Sequence, residues 1–134
     1  MNFKELNLSE KLTKALDDIN YNETTEIQEK AIPEILRGND IIGLSQTGTG
    51  KTAAFGIPAI ENIDVMNKKT QILILAPSKP LTLQHEHSFK KFLKASVTSL
   101  TGNDKPSDRK KFWNEEDGIL DGVDMSSVLL YWYI

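Results

Sequence analysis

The amino-acid sequence predicts an α/β fold in which helices flank a parallel sheet. Short apolar runs at 41–44 and 71–76 have the length and composition of strands, and the second is continuous enough to be covered on both faces. Helix signals occur in four segments around these runs: 9–19, 25–37, 51–57 and 80–94. Helices that alternate with buried strands are typical of a parallel sheet.

The composition is that of an ordinary soluble domain. The chain has 134 residues, of which 39% are hydrophobic and 26% charged. It has no cysteine, which excludes disulfides and thiolate metal sites and is compatible with the cytoplasmic location that we expect. No apolar run approaches the roughly 20 residues that span a bilayer, and the N-terminus lacks a signal-peptide core, so we expect no membrane contact. The net charge of −3 means that a nucleic-acid site would need a local basic patch.

The first two helices are predicted from their caps and apolar spacing. Ser9 is a suitable N-cap for a helix whose apolar face is Leu12, Ala15, Leu16 and Ile19. A second helix begins near Thr25, where Thr25 and Gln28 fit a capping box. Its expected buried stripe is Ile27, Ala31, Ile35 and Leu36.

Glycine and proline mark the ends of these segments. Gly38 is expected just past the C-cap of the second helix. Pro33 and Pro58 lie inside helical patterns, so each should kink or end its helix. Pro77 should end the strand at 71–76. Pro80 suits the first turn of the helix that follows.

That helix is expected to run to about residue 94 and to pack Phe89, Phe92 and Leu93 inward, with a short strand following at 97–100. It contains His85 and His87, which suggest a metal pair. Residues two apart on a helix diverge, however, so we expect solvated or capping roles for both.

The chemistry of the sequence is concentrated in Ser45–Thr52, which reads Ser-Gln-Thr-Gly-Thr-Gly-Lys-Thr between the first strand and a helix. Gly48 and Gly50 allow the loop to wrap round an anion, and successive N–H groups then point at phosphate oxygens. Lys51 is expected to reach the phosphates and the Thr52 hydroxyl to ligate Mg²⁺. Ser45 stands where the strict phosphate-loop pattern has glycine; the alternative is a glycine-rich turn with a chance Gly-Lys-Thr.

A series of motifs resembles the first part of a DEAD-box RNA helicase. Gln28 resembles the family's Q-motif glutamine, which reads the adenine edge of ATP. Phe3 precedes Asn20 by 17 positions, where the family has an aromatic that stacks on the base. Tyr21 takes the place of the phenylalanine in the family's Gly-Phe pair. Residues 46–55 match the phosphate-loop motif almost throughout. The resemblance runs from residue 3 to about 84, and more loosely to 102.

The resemblance implies a partial RecA-like P-loop NTPase domain that binds ATP with Mg²⁺. The residues it assigns to ATP are Phe3, Tyr21, Thr25, Gln28, Ser45, Gln46, Thr47, Gly48, Thr49, Gly50, Lys51 and Thr52. Lys51 and Thr52 have the catalytic roles, with Thr52 as the metal ligand. Residues 77–81 stand in the place of the family's Pro-Thr-Arg-Glu-Leu motif, so Ser78 and Lys79 are expected to contact the RNA backbone, and RNA is the expected partner.

Several positions depart from the family pattern. Asn20 and Thr24 replace the glycine and proline of the Q motif, and Lys79 and Pro80 replace the arginine and glutamate of the RNA-contacting motif. The Asp-Glu-Ala-Asp, Thr-Pro-Gly-Arg and Ser-Ala-Thr motifs are missing, as is a second RecA-like domain. Asp121 begins a weak echo of the acidic motif, but it lies only 69 positions after Thr52.

The predicted organisation is a Q-motif region at 1–38, a partial ATP-binding domain at 39–102 and an atypical tail at 103–134. We expect the ATP-binding N-terminal portion of a DEAD-box helicase that is not competent for catalysis alone. One alternative is a truncated or frame-altered fragment without independent activity, whose tail from about residue 103 is not native to the fold. Separately, the apolar run 128–134 has the composition of an inserted strand and, if left exposed, would be prone to aggregation. Another is a different P-loop NTPase, such as a small kinase.

Overall fold

The structure, a computed structural model, describes residues 1–64, 66, 71–92, 97–100, 105 and 128–132. The chain divides into two compact units, Met1–Asn62 and Ile63–Ile134. Helices accompany a parallel three-stranded sheet, which confirms the predicted α/β class. The predicted boundaries at residues 38 and 102 stay a prediction.

The first unit is helical. It contains a 3-10 helix (Phe3–Leu6) and the helices α1 (Glu10–Asp18), α2 (Glu26–Leu36) and α3 (Lys51–Glu61). Helices α2 and α3 pack against each other. The buried apolar side chains of this unit are Phe3, Leu6, Leu12, Leu16, Ala31, Ile32, Ala53, Ala54, Ile57 and Ile60.

Helix α1 begins at the predicted cap, since the Leu12 N–H donates to Ser9 Oγ at 3.4 Å. The N–H and hydroxyl of Ser9 also donate to the Glu61 carboxylate, at 2.8 and 2.9 Å, which ties the start of α1 to the end of α3. Leu12 and Leu16 are buried, whereas Ile19 is 37% exposed. The buried face of α1 is therefore shorter than the predicted one.

Helix α2 carries the predicted capping box between Thr25 and Gln28. Its buried residues are Gln28, Ala31 and Ile32. Of the predicted stripe Ala31 is buried, whereas Ile27, Ile35 and Leu36 are only half-buried. The polar Gln28 lies inward because its amide finds hydrogen-bond partners there. Gly38 follows the C-cap with φ of +83°, as predicted.

Each proline was predicted to kink or end its helix, and neither helix ends there. Helix α2 continues past Pro33 to Leu36, and α3 continues past Pro58 to Glu61. A proline lacks the N–H but keeps its carbonyl. That carbonyl accepts from the fourth residue on: Arg37 N–H donates to Pro33 O at 3.1 Å, and Asn62 N–H to Pro58 O at 3.2 Å.

The predicted strand at 41–44 is not formed. Residues 41–46 have no regular secondary structure, and Ile42 and Leu44 are 92% and 88% exposed. A Cβ on Gly43 would lie 3.7 Å from the Ile27 side chain, so this position faces α2. A strand requires a partner backbone, and none of the described segments pairs with these residues. The strand prediction was wrong because it rested on apolar composition alone, which does not reveal whether another strand pairs with the segment.

The second unit is a parallel sheet with one helix. Its strands are β1 (Ile72–Ala76), β2 (Val97–Leu100) and β3 (Val128–Trp132), in the order β1-β3-β2. Ile72 and Val97 both pair with Val128, so the strands start in register. Helix α4 (Lys79–Phe92) contacts all three strands. The predicted strands at 71–76 and 97–100, the helix from 80 and the tail strand are confirmed.

Strand β1 is covered on one face, not on both as predicted. Ala76 is buried, but Leu73 and Leu75 are 53% and 64% exposed. Alternating residues of a strand face opposite sides. One face of β1 is therefore open, and a continuous apolar run was an insufficient sign of double burial.

Helix α4 buries Phe89, as predicted, together with Thr82 and His85. The expectation of a solvated His85 was wrong: it is 7% exposed, whereas His87 is exposed. The predicted inward packing of Phe92 and Leu93, and the echo at Asp121, lie outside the described residues and side chains.

Candidate functional site

The loop 45–50 leads into α3 through two glycines in the left-handed region. Gly48 has φ of +79°, and Gly50, the N-cap of α3, has φ of +89°. No side chain caps this helix, and no acidic residue lies in its first turn. Helix N-terminal N–H groups without a cap need other acceptors, and anions are favoured there. The N-terminal end of α3 therefore suits a phosphate.

Lys51 is held over the loop by three oxygen atoms. Its Nζ donates to Ser45 O at 2.5 Å, to Gln46 O and, at 3.3 Å, to Ser45 Oγ. The ammonium group thus lies within the curve of the loop, where a bound phosphate would meet a positive charge. Its neighbour Thr52, the second residue of α3, is half-buried.

Ser45, which replaces the glycine of the strict motif, takes part in the loop. Its hydroxyl lies 2.6 Å from Thr49 Oγ1, and Thr49 Oγ1 donates to Gln46 O at 2.8 Å. These bonds join the two ends of the loop. The departure at residue 45 is thus accommodated by a hydroxyl pair, whereas Thr47 at the tip is exposed.

Gln28 joins the start of α2 to the phosphate loop. Its Nε2 donates to Gly50 O at 3.0 Å and to Tyr21 Oη at 3.1 Å, and its Oε1 accepts from the Thr25 N–H at 2.9 Å. The side chain is 0% exposed. The Tyr21 hydroxyl contact was missed from the sequence, although the change from phenylalanine to tyrosine was its signal.

Thr25 makes a second connection to the loop. Its hydroxyl donates to Thr49 O at 2.8 Å, and Thr25 is also the N-cap of α2. The segments that the sequence assigns to the base and to the phosphates are therefore joined by two hydrogen bonds, one from Thr25 and one from Gln28.

The two aromatics of the predicted base site lie together. The ring centroids of Phe3 and Tyr21 are 5.1 Å apart with planes inclined by 31°, an arrangement that is favourable for aromatic pairs. Phe3 is only 2% exposed, so it contributes to the core of the first unit. Its stacking role stays a prediction.

A cavity of about 380 Å³ adjoins the loop. It is lined by Thr25, Glu26, Ile27, Lys30, Leu44, Ser45 and Thr49. Three of these are predicted ATP-binding residues, whereas Glu26, Lys30 and Leu44 were not singled out from the sequence. The hydrogen bond from Lys30, at 2.6 Å, lowers the pKa of Glu26, so the exposed rim carries a paired charge.

The acid Glu29, on the first turn of α2, is held ionised. Its carboxylate accepts from the Met1 ammonium at 2.5 Å and from the Thr24 hydroxyl at 2.9 Å, and these bonds lower its pKa. The single hydroxyl hydrogen of Thr24, which replaces the Q-motif proline, is shared between Glu29 and the Met1 carbonyl, whose oxygen lies 2.7 Å from Thr24 Oγ1. The residue that departs from the motif thus anchors the chain that precedes the 3-10 helix.

The predicted RNA-contacting residues lie at the start of α4 in the second unit. Ser78 caps the helix: the Leu81 N–H donates to its hydroxyl at 3.4 Å, and its carbonyl accepts from the Thr82 N–H at 3.0 Å. Lys79, the first helical residue, is half-buried. In the described ranges no three acidic, histidine or cysteine residues form a group that could hold a metal ion.

Comparison with known proteins decides the family. The model of the DEAD/DEAH box helicase domain matches residues 25–123, more than half of the chain. The chain belongs to the DEAD/DEAH box helicase family. The match covers the phosphate loop and continues past residue 102, where the looser motif resemblance ends.

Curated relatives and solved structures agree with this family. The chain is 52% identical over 84 residues to the ATP-dependent RNA helicase CshA of Limosilactobacillus reuteri and 50% identical over 82 residues to that of Geobacillus kaustophilus. A DEAD box protein from Methanococcus jannaschii shares the fold with a TM-score of 0.80 and 26% identity, covering 98% of this chain and 34% of that one. A yeast Dbp5 structure, at a TM-score of 0.75 and 24% identity, supports the fold alone.

The chain corresponds to a small part of such helicases. The matched segment is 63% of this chain and 17% of the L. reuteri protein, and 61% and 18% for the G. kaustophilus protein. The matched relatives are thus several times longer. Among the described residues, no helix has the length and apolar character to cross a membrane.

Proposed function

We propose that the first unit binds an adenine nucleotide, with the phosphates on the loop 45–52 and the base beside Gln28. The observation that supports this best is the hydrogen bond from Gln28 Nε2 to Gly50 O, at 3.0 Å. It connects the side chain that the family uses to read adenine with the backbone that would hold the phosphates. A bound nucleotide would therefore contact both groups at once.

The chemistry of the loop supports the phosphate and metal assignments. The uncapped start of α3, without nearby acidic residues, and the Lys51 ammonium both favour an anion. Thr52, one residue further, would offer its hydroxyl to Mg²⁺ bound with the phosphates. Ser45, Gln46, Thr47, Gly48 and Thr49 would surround the phosphate chain. The base side would be formed by Phe3, Tyr21, Thr25 and Gln28.

The proposal is limited to nucleotide binding and does not include hydrolysis by this chain alone. Hydrolysis needs a metal-holding acid, a group that orients water and a cation that stabilises the transition state. The motifs that supply these groups in the family are missing from the sequence. ATP-driven remodelling of RNA in the cytoplasm is proposed only for a full-length helicase that contains this segment, in which Ser78 and Lys79 would contact the RNA backbone.

Calorimetry with Mg·ADP tests the binding. We expect saturable binding that weakens about 10- to 100-fold in Lys51→Ala, because a hydrogen bond to a charged group contributes about 1.5–3 kcal/mol. Lys11→Ala, a change of the same type at an exposed site on α1, should bind as the unchanged chain does. Absence of saturable binding at millimolar nucleotide, or equal behaviour of the two variants, would reject the proposal. The first result would favour the alternative of a fragment without independent activity.

A further inference from the structure

We propose that Thr25 is a positioning residue for the phosphates. Its hydroxyl holds the peptide group between Thr49 and Gly50 in the orientation that presents the Gly50 N–H to a bound phosphate. This inference rests on the nucleotide site proposed above. It gives Thr25, which stands on the base side of that site, an effect on phosphate binding that does not depend on the base.

The peptide group between Thr49 and Gly50 is held by one hydrogen bond to its carbonyl. The Thr25 hydroxyl donates to Thr49 O at 2.8 Å. A Cβ on Gly50 would lie 3.2 Å from Thr25 Oγ1, so the start of α2 lies directly against this peptide. Within the described ranges Thr49 O accepts no other hydrogen bond. The orientation of the peptide therefore depends on one side-chain hydroxyl.

The geometry of this peptide group fixes the direction of its N–H. The bond between Thr49 and Gly50 is trans, and in a planar trans peptide the C=O and N–H bonds point in opposite directions. Because Thr49 O faces the start of α2, the Gly50 N–H points away from α2. In the part of the chain that the structure describes, this N–H has no acceptor. It is therefore a donor that a phosphate oxygen can use.

Glycine makes this orientation easy to lose when the hydroxyl is absent. Rotation of the peptide group changes the φ of Gly50, which is +89°, and glycine adopts positive and negative φ about equally. A rotated peptide would turn the Gly50 N–H towards α2 and the Thr49 carbonyl oxygen towards the phosphate, whose negative charge that oxygen repels. The Thr25 bond selects the favourable orientation before the ligand binds, which reduces the cost of ordering the loop.

The other parts of the phosphate site are held without Thr25. Gly50 O accepts from the Ala54 N–H at 3.1 Å and from Gln28 Nε2 at 3.0 Å, so the next carbonyl along the chain has two donors. The Lys51 ammonium is held by other oxygens of the loop. Loss of the Thr25 hydroxyl should therefore weaken phosphate binding through one N–H group and leave the remaining contacts in place.

Calorimetry of Thr25→Gly with Mg·ADP and with Mg·pyrophosphate, which has no base, tests this role. Glycine keeps most of the capping function at the start of α2 but has no hydroxyl. We expect both ligands to bind about two- to tenfold more weakly and by a similar factor, because one neutral hydrogen bond is lost. Thr25→Ser, which keeps the hydroxyl, should restore most of the affinity. Thr24→Gly is the matched control: the Thr24 hydroxyl bonds to Met1 and Glu29 and not to the loop, so pyrophosphate should bind as it does to the unchanged chain.

Other outcomes separate this proposal from the one on which it rests. If ADP binds in a Lys51-dependent way but Thr25→Gly binds both ligands as the unchanged chain does, the positioning role is wrong and the nucleotide site stands. A loss confined to ADP would mean that Thr25 acts on the base, and pyrophosphate that fails to bind a chain that binds ADP would equally overturn the inference. If ADP does not bind, both proposals are rejected.

NMR spectra of the chain without ligand provide a second measurement. The backbone amide signal of Gly50 should shift in Thr25→Gly, because its peptide group loses the bond that holds it, and should return towards its original position in Thr25→Ser. A Gly50 signal that is the same in Thr25→Gly and in the unchanged chain would contradict the positioning role.

Discussion

Gly50 is the position at which a single methyl group should disturb the link between Gln28 and the phosphate loop. Its φ of +89° lies in the left-handed region, where a residue with a Cβ is strained by about 1–2 kcal/mol. A Cβ would also lie 2.3 Å from Gln28 Nε2 and 3.2 Å from Thr25 Oγ1. Gly50→Ala must therefore displace the buried amide that donates to the Gly50 carbonyl.

The expected loss of stability has two parts. The backbone strain of about 1–2 kcal/mol adds to about 1–3 kcal/mol for a buried amide N–H without its partner. We expect Gly50→Ala to lower the free energy of unfolding by about 2–5 kcal/mol, measured by urea denaturation with circular dichroism. Gly48→Ala is the matched control, since φ is +79° but nothing lies within 4 Å of its Cβ. It should cost only the strain.

A double mutant separates the contact from the strain. Gln28→Ala removes the side chain that the new methyl group meets, so its combination with Gly50→Ala should cost less than the sum of the two single changes, by about 1–3 kcal/mol. Equal losses in Gly50→Ala and Gly48→Ala, or additive losses in the double mutant, would show that Gln28 does not hold the loop as described.

Two further predictions concern burial. Leu44→Ala should change the free energy of unfolding by less than about 0.5 kcal/mol, because Leu44 is 88% exposed, whereas Ile57→Ala, at 0% exposure, should cost about 2–5 kcal/mol; similar losses in denaturant titrations would instead place residues 41–44 in a strand of the core. Burial of His85 lowers its pKa below the ordinary value of 6.5, so the unfolded chain takes up the proton first and stability falls as the pH drops through 6.5. Denaturation at pH 7.5 and pH 5.5 should show that His85→Gln removes part of this fall and that His87→Gln, at an exposed site, does not; the reverse order would contradict the burial.

The features that the sequence predicted well depend on neighbouring residues. The capping box of Thr25 and Gln28 and the left-handed Gly38 follow from residues within one helical turn, and both are present. The glycines of the phosphate loop also have the positive φ angles that a close turn needs. Such local signals require no knowledge of what packs against them.

The features that it predicted badly depend on distant partners. The run 41–44 lacks a strand neighbour among the described segments, and Leu73 and Leu75 lie on a face of β1 that stays open. His85 is buried on a helix that contacts the sheet, and the spacing of two histidines does not reveal which side of that helix is covered. The hydrogen bond from Gln28 Nε2 to Tyr21 Oη was also missed, because it depends on the one oxygen atom by which tyrosine differs from phenylalanine.

The measurement that tests the nucleotide site most directly is an NMR titration of the isotope-labelled chain with Mg·ADP. We expect the largest shifts at the backbone amides of residues 47–52 and at the side-chain amide of Gln28, which one ligand should move together with a single dissociation constant. Shifts confined to other residues, or none at millimolar nucleotide, would contradict the coupling of Gln28 to the phosphate loop as a binding site.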